Sequence, residues 1–450
     1  MRSQTQPDGC LKCCFFFLLA SWAAVSCHAQ NDTDDKQTPL LEYQYAPGNL
    51  NVFDLDMWLS QGLTARVLAT KGEAVLLDNG NTTSQALFHE APDGAAVFDD
   101  INPNNTGGYI YLSNSEVDNG GGGVGALYFD KDGTVLDYKM LLEGTNRNCN
   151  GGKTAWHTWV SCEEVEGGQC WQVDPYGTRP SEPIAHGSQG GLWEAFAHDV
   201  RNPLEWHFFL TEDVADGALQ RMTISNPADY QNNTWNVLNQ PGPVDYLYLT
   251  ANRNWLGVDL DTGTFEWTKN EAMGRLNAAW FFPNAEGLEM VGNELLVVSK
   301  TEKGFLRLNL DTQTYTYEST GFHGQPDQLT TVVQADGSML TYFTEEAAPI
   351  QGFLGEQVGI HTLSQKTGKW TNIMEASDHS SEITGIAFSP DAKRMIFAFQ
   401  EDGILMELQR TDGLAFHDQK ARETVNTGND NDDDCFWIFC GFEIYRSEAP

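Results

Sequence analysis

Residues 144–164, GTNRNCNGGKTAWHTWVSCEE, set one cysteine, Cys149, near one end of a hairpin-length stretch and two adjacent carboxylates, Glu163 and Glu164, at the other, directly after a second cysteine, Cys162. Carboxylates are hard ligands suited to Ca²⁺ or a trivalent ion, and one thiolate adds a softer donor that favours a transition metal. The same layout recurs with an acid in place of the thiol. Asp93 stands ahead of Glu116, Glu194 ahead of Glu212 and Asp213, Glu286 ahead of Glu302, Asp327 ahead of Glu345 and Glu346, and Glu382 opens a further unit. Such a set predicts a polynuclear metal site.

The elements that must position these residues are short. Apolar and aromatic runs alternate with Gly, Asp, Asn and Pro turns, with little helical periodicity, which predicts an all-β chain. Six units start near Asp93, Cys149, Glu194, Glu286, Asp327 and Glu382, and each reads as a strand, a tight turn and further strands. Units of about 40–50 residues with three or four antiparallel strands indicate a six-bladed β-propeller. The long gap between Glu194 and Glu286 calls for an insertion between the third and fourth blades, or a degenerate extra blade that includes WLGVDLDTGTFEW. Residues 37–92 are expected to supply an outer strand that closes the ring. In a propeller the start of a first strand and the end of the second lie on one face. Cys149, Glu194, Glu286, Asp327 and Glu382 are therefore expected at the channel mouth. Glu116, Glu163, Glu164, Glu212, Asp213, Glu302, Glu345 and Glu346 are expected in a ring around it. Carboxylates so close need protons or counter-cations.

The 450-residue chain carries 63 acidic against 26 basic residues, a net charge of −37. That excludes nucleic acid and anionic membrane surfaces as partners, since both require a basic face. Residues 1–29 read as a cleaved signal peptide, with Lys12 before CCFFFLLASWAAV and a small-residue end at Ala29, which directs the protein to an extracellular or periplasmic location. The apolar run is too short to span a membrane. A disordered lead is expected at 30–40, the propeller at 41–415, and an acidic linker with a short C-terminal extension at 416–450. The mature chain is expected to be a monomer with sequons at Asn31, Asn81, Asn104 and Asn232. Five cysteines remain after the signal, and close spacing suggests Cys162–Cys170 and Cys435–Cys440 as pairs, leaving Cys149 free.

GTNRNCNGGKTAWHTWVSCEE resembles the signature of the PhoX-type alkaline phosphatases, approximately GTxRNCAGGxTPWGTWLTCEE. The similarity continues through WEAFAHDVRNPLEWHFFLTED, NAEGLEMVGNELLVVSKTE and SEITGIAFSPDAKRMIFAFQ, over about residues 90–410. The resemblance implies a six-bladed propeller phosphomonoesterase with a cofactor of Fe(III) and Ca²⁺ ions held by carboxylates and one thiolate. By position it makes Cys149 the iron-binding thiolate and a catalytic residue together with Glu286. It makes Glu163, Glu164, Glu194 and Glu286 metal ligands, joined by Glu116 and Glu212; the propeller layout adds Asp327, Glu302, Glu345 and Glu382 as an outer ring. The family's RPEG is NAEG here, so Asn284 stands where a phosphate-contacting arginine is expected, and Arg147, Arg179, Lys153 and Arg275 are the candidates to replace its charge. His157 replaces a glycine of the pattern and Trp193 a histidine. The competing reading is a non-catalytic metal-binding propeller.

Overall fold

Val-, Ile-, Phe- and Tyr-rich runs form antiparallel strands almost throughout, because β-branched and aromatic side chains fit a pleated surface. The computed structural model describes residues 45–418, except 231–232, 255–256, 335, 347–357 and 377–380. The chain divides into two units, Met1–Glu42 and Tyr43–Pro450, and every described residue belongs to the second. The expected signal, lead, Cys435–Cys440 pair and nearly all of the C-terminal extension lie outside the described residues. Among those described, no helix is long and apolar enough to cross a membrane.

The architecture is propeller-like. Successive first strands Pro92–Asp99, Asn148–Lys153, Trp193–Asp199, Ala285–Val291, Gln325–Val333 and Ile383–Phe388 each contact the next, and the last contacts the first. Each opens an antiparallel meander. Separate four-stranded sheets grow from the strands that begin at Pro92, Asn148 and Ile383. The meanders from Trp193 and Ala285 share one nine-stranded sheet, and that from Gln325 is extended to six strands by Ala46–Asp54 and Met57–Gln61. The expectation of six separate blades thus holds only in part.

The fusion accounts for the long gap in the repeat. Val244–Asn254 completes one meander, and Gly257–Thr268 pairs with it on one side and with Thr314–Ser319 on the other. The helix Glu271–Phe281 follows, capped by Asn270, whose side chain accepts from the Met273 amide at 3.3 Å. Ring closure is as expected: Leu63–Thr70 pairs along Ile404–Arg410.

Strand alternation sends side chains to both faces, and six apolar clusters result, each shared by neighbouring meanders. Trp159 packs with Leu112 and Ala126 on one side of its strand, whereas Val160 packs with Phe196 and Phe208 on the other. Full burial of such side chains contributes about 1.5–3 kcal/mol each. Phe416 is buried beside Phe388, so the core continues one residue past the expected boundary at 415. Cys162 and Cys170 face each other across strands, both buried and both free thiols, in place of the expected disulfide.

Candidate metal centre

One local device repeats at the start of the first strands. Between Pro92 and Ala95, Asn148 and Gly151, Trp193 and Phe196, Ala285 and Leu288, and Pro326 and Leu329, the strand carries an extra residue relative to its partner. Bulges of this kind interrupt the pleat and re-aim a side chain. The first residue inside them is Asp93, Cys149, Glu194, Glu286 and Asp327 in turn, and all five line one cavity of about 290 Å³. In the sixth strand the bulge lies between Thr384 and Ala387 and its first residue is Gly385. A β-carbon there would come within 2.6 Å of the Tyr111 hydroxyl and 2.9 Å of the Asp93 carbonyl. Glu382, just before that strand, takes the missing place in the cavity.

The second strands supply the rest. Ser115, Glu163, Glu212, Ser299 and Glu345 pair with the residue that precedes each bulge, and the next residue along, Glu116, Glu164, Asp213, Lys300 or Glu346, lines the cavity. With Arg147, nine carboxylates, one thiol and two cations among the described residues face the same space.

The wall is held by amides and hydroxyls. Asn114 Nδ2 donates to the carbonyls of Cys149 at 2.9 Å and Asn150 at 2.8 Å, and Trp159 Nε1 donates to Asn114 Oδ1 at 2.8 Å. Gln328 Nε2 donates to Asp93 Oδ1 at 2.6 Å, while Gln400 Nε2 donates to Glu116 Oε2 at 2.6 Å and Asp93 Oδ2 at 3.2 Å. Arg147 ion-pairs with Glu116 and, at 2.6 Å, with Glu164. Glu194 is different: it is fully buried and, among the described residues, neither of its carboxylate oxygens has a hydrogen-bond partner.

Burial is the main force on the acids. It pushes Asp93, Glu194, Asp327 and Glu382 well above the carboxylate range, and neighbouring carboxylates push the same way. Glu116 is raised to about 7 by burial, against the pull of Arg147. Burial, then Asp93 and Glu194, raise the Cys149 thiol. Glu286 is raised by burial although Lys300 opposes it.

A buried polar group without a partner is costly, and these donors fit metal ions. Three groups offer ligating atoms within 4.8 Å of one another: Asp93, Glu116 and Cys149; Cys149, Glu164 and Glu194; and Glu194, Glu286 and Asp327. Cys149 and Glu194 each belong to two of them, as expected for ions that share ligands.

The structure thus gathers Cys149, Glu116, Glu164, Glu194, Asp213, Glu286, Asp327, Glu346 and Glu382 of the expected set, and adds Asp93. Four others lie elsewhere. Glu163 is buried inside its blade, accepting from the amides of Asn146 at 2.7 Å and Gln169 at 2.9 Å and from Trp171 Nε1 at 3.2 Å. Glu212 pairs with Arg275 at 2.8 Å. Glu345 pairs with His361 at 2.9 Å and accepts from the Gly324 amide at 3.0 Å. Glu302 is exposed on a turn. Asn284 does not line the cavity: its Nδ2 donates to Asp213 Oδ1 at 2.7 Å and its Oδ1 accepts from Thr301 at 2.7 Å. Of the candidate cations only Arg147 is present. Arg275 is held by Glu212 and Glu271, Arg179 lies over Trp235, and Lys153 donates to the Val97 carbonyl at 2.6 Å. Lys153 and His198 line a separate channel cavity of about 330 Å³ further along the same strands.

The fold is that of the β-propellers. Pseudomonas fluorescens PhoX, solved in complex with vanadate, a transition state analogue, superposes with a TM-score of 0.61 at 13% identity over 84% of this chain and 99% of that one. A streptogramin B lyase (TM-score 0.41, 10% identity, 77% and 97% of the two chains) and the virginiamycin B lyase of Staphylococcus aureus (0.39, 10%, 77% and 99%) are more distant. At these identities the likeness concerns fold alone. No family model and no curated protein matches the chain.

Proposed function

We propose that the chain is a secreted, monomeric, six-bladed propeller phosphomonoesterase whose cavity holds a polynuclear iron and calcium centre. The observation that carries this reading is Glu194, a fully buried carboxylate with two unpartnered oxygens, shared between two groups of metal-ligating spacing. Six first strands in a closed circuit, with six apolar clusters between them, support the blade count. Cys149 would give the centre its one soft donor, and Asp93, Glu116, Glu164, Glu194, Glu286 and Asp327 its hard ones. Bound ions would act as Lewis acids on the non-bridging oxygens of a phosphate monoester.

The chain's own contribution is charge and rigidity. Arg147 pairs with Glu116 and Glu164, yet with its side chain 37% exposed against 21% for Lys300 it is the more open of the two cations described in the cavity, and its planar guanidinium would suit an incoming phosphate. Asn284 has both ends of its amide engaged within the protein, so it braces Asp213. Elemental analysis of undialysed protein beside hydrolysis of an aryl phosphate tests the reading. Iron and calcium with measurable turnover are expected, and Arg147→Met should lower kcat/KM by ~10²–10³-fold, the scale for one preorganised donor. Fully metallated protein without turnover would leave the non-catalytic reading.

A further inference from the structure

The ring around the cavity carries a carboxylate after the paired residue at Glu116, Glu164, Asp213 and Glu346, but at the equivalent place in the fourth meander it carries Lys300. The ammonium of Lys300 lies 2.7 Å from Glu286 Oε1, 2.8 Å from Asp213 Oδ2 and 3.3 Å from Glu346 Oε2. It thus meets three carboxylates from three meanders, and an ammonium has three protons to offer them. Its neighbours keep it there. The Lys300 amide donates to the Asn284 carbonyl at 2.9 Å, and the Asn284 side chain occupies the Asp213 oxygen that Lys300 does not use. Asn284 itself has a φ of +53°, a left-handed conformation that asparagine tolerates better than most residues.

Among the described residues, no group of metal-ligating spacing includes Asp213 or Glu346. Among the described residues Glu194 has no ion-pair partner, whereas Asp213 and Glu346 share Lys300. We infer that Lys300 is a resident cation that stands in the place of one hard divalent ion, so that Asp213 and Glu346 are neutralised without metal, while Glu286 is shared between Lys300 and the neighbouring metal group. The inference rests on the metal-centre reading above and specifies its stoichiometry. The ion-pair partners of Lys300 among the described residues are three carboxylates, an all-oxygen donor set, so the ion displaced is of the Ca²⁺ type.

The test compares wild type with Lys300→Gln, Lys300→Met and Lys300→Arg, saturated with calcium and analysed for metal per chain. The two neutral variants should hold one more calcium than wild type, and Lys300→Arg the same number as wild type. In chelator the neutral variants should melt below wild type, and calcium should raise their Tm by more than it raises that of wild type. Equal calcium in wild type and folded neutral variants overturns the role of Lys300 and leaves the centre standing. No metal in any of the four overturns the centre and the inference together. Neutral variants that stay unfolded with and without calcium would show that a divalent ion cannot replace the ammonium, and that also overturns the inference.

Discussion

Glu194→Gln should change the sign of its effect on stability when metal is removed. With metal bound, the variant loses a ligand shared by two groups. Ligand-linked stabilisation amounts to about 2.7 kcal/mol when free metal is at 100 times its dissociation constant, so the metallated variant should be the less stable protein. In chelator the comparison reverses. Wild type then buries a carboxylate at 0% exposure with neither oxygen hydrogen-bonded, which costs several kcal/mol when ionised. The glutamine amide is neutral, and an unsatisfied neutral group costs about 1–3 kcal/mol. A net gain of about 1–3 kcal/mol corresponds to roughly 1–4 °C in Tm for a domain of this size. Differential scanning calorimetry at pH 8 with and without chelator reads both signs. A variant destabilised equally in both conditions would refute the assignment, because Glu194 would then be a structural group and not a ligand.

Glu163→Gln should cost about 1–3 kcal/mol of stability, and so lower Tm, with or without metal, because a buried acceptor of two amides and an indole is disturbed; Glu164→Gln should instead lower metal content and have little effect once metal is removed. The chelated protein should lose stability as pH rises. Glu116 goes from 4.5 to about 7 on folding, so its folded form holds a proton more tightly; the resulting stability is complete below about pH 4.5 and lost as pH passes 7, about 3 kcal/mol from this residue. Metallated protein should lack this decline, and a chelated protein whose Tm stays level from pH 5 to 8 would contradict the raised values.

The strand starts were legible because one acid or thiol per repeat survives at a position that a bulge turns towards the axis. Asp93, Cys149, Glu194, Glu286 and Asp327 all stand there. The strand ends were legible only to within one residue. Glu163–Glu164, Glu212–Asp213 and Glu345–Glu346 are adjacent acids, and alternation sends only the second of each pair to the cavity. The register that decides this depends on the bulge, which has no marker in composition. Lys300 was missed for a different reason. A search for recurring acids passes over a cation at the same position and stops at Glu302, two residues further on. The helix Glu271–Phe281 was hidden too, since it packs by a narrow face of Gly274, Asn277 and Ala278 while Leu276 and Trp280 remain exposed.

The pairing of Leu63–Thr70 with Ile404–Arg410 also governs how the molecule can be made. Arg66 reaches Glu407 across 341 positions of sequence, and the Glu407 side chain, fully buried, also meets Arg394. During synthesis Arg66 emerges long before its partner, so this early strand waits with an open edge until nearly all of the ring exists. Contacts between such distant positions form slowly, and unpaired edges invite pairing with other chains. The last step of folding is therefore a clasp between an early part of the fold and its youngest strand. A chain truncated before Ile404 would contain every cavity residue and still be unable to close around them.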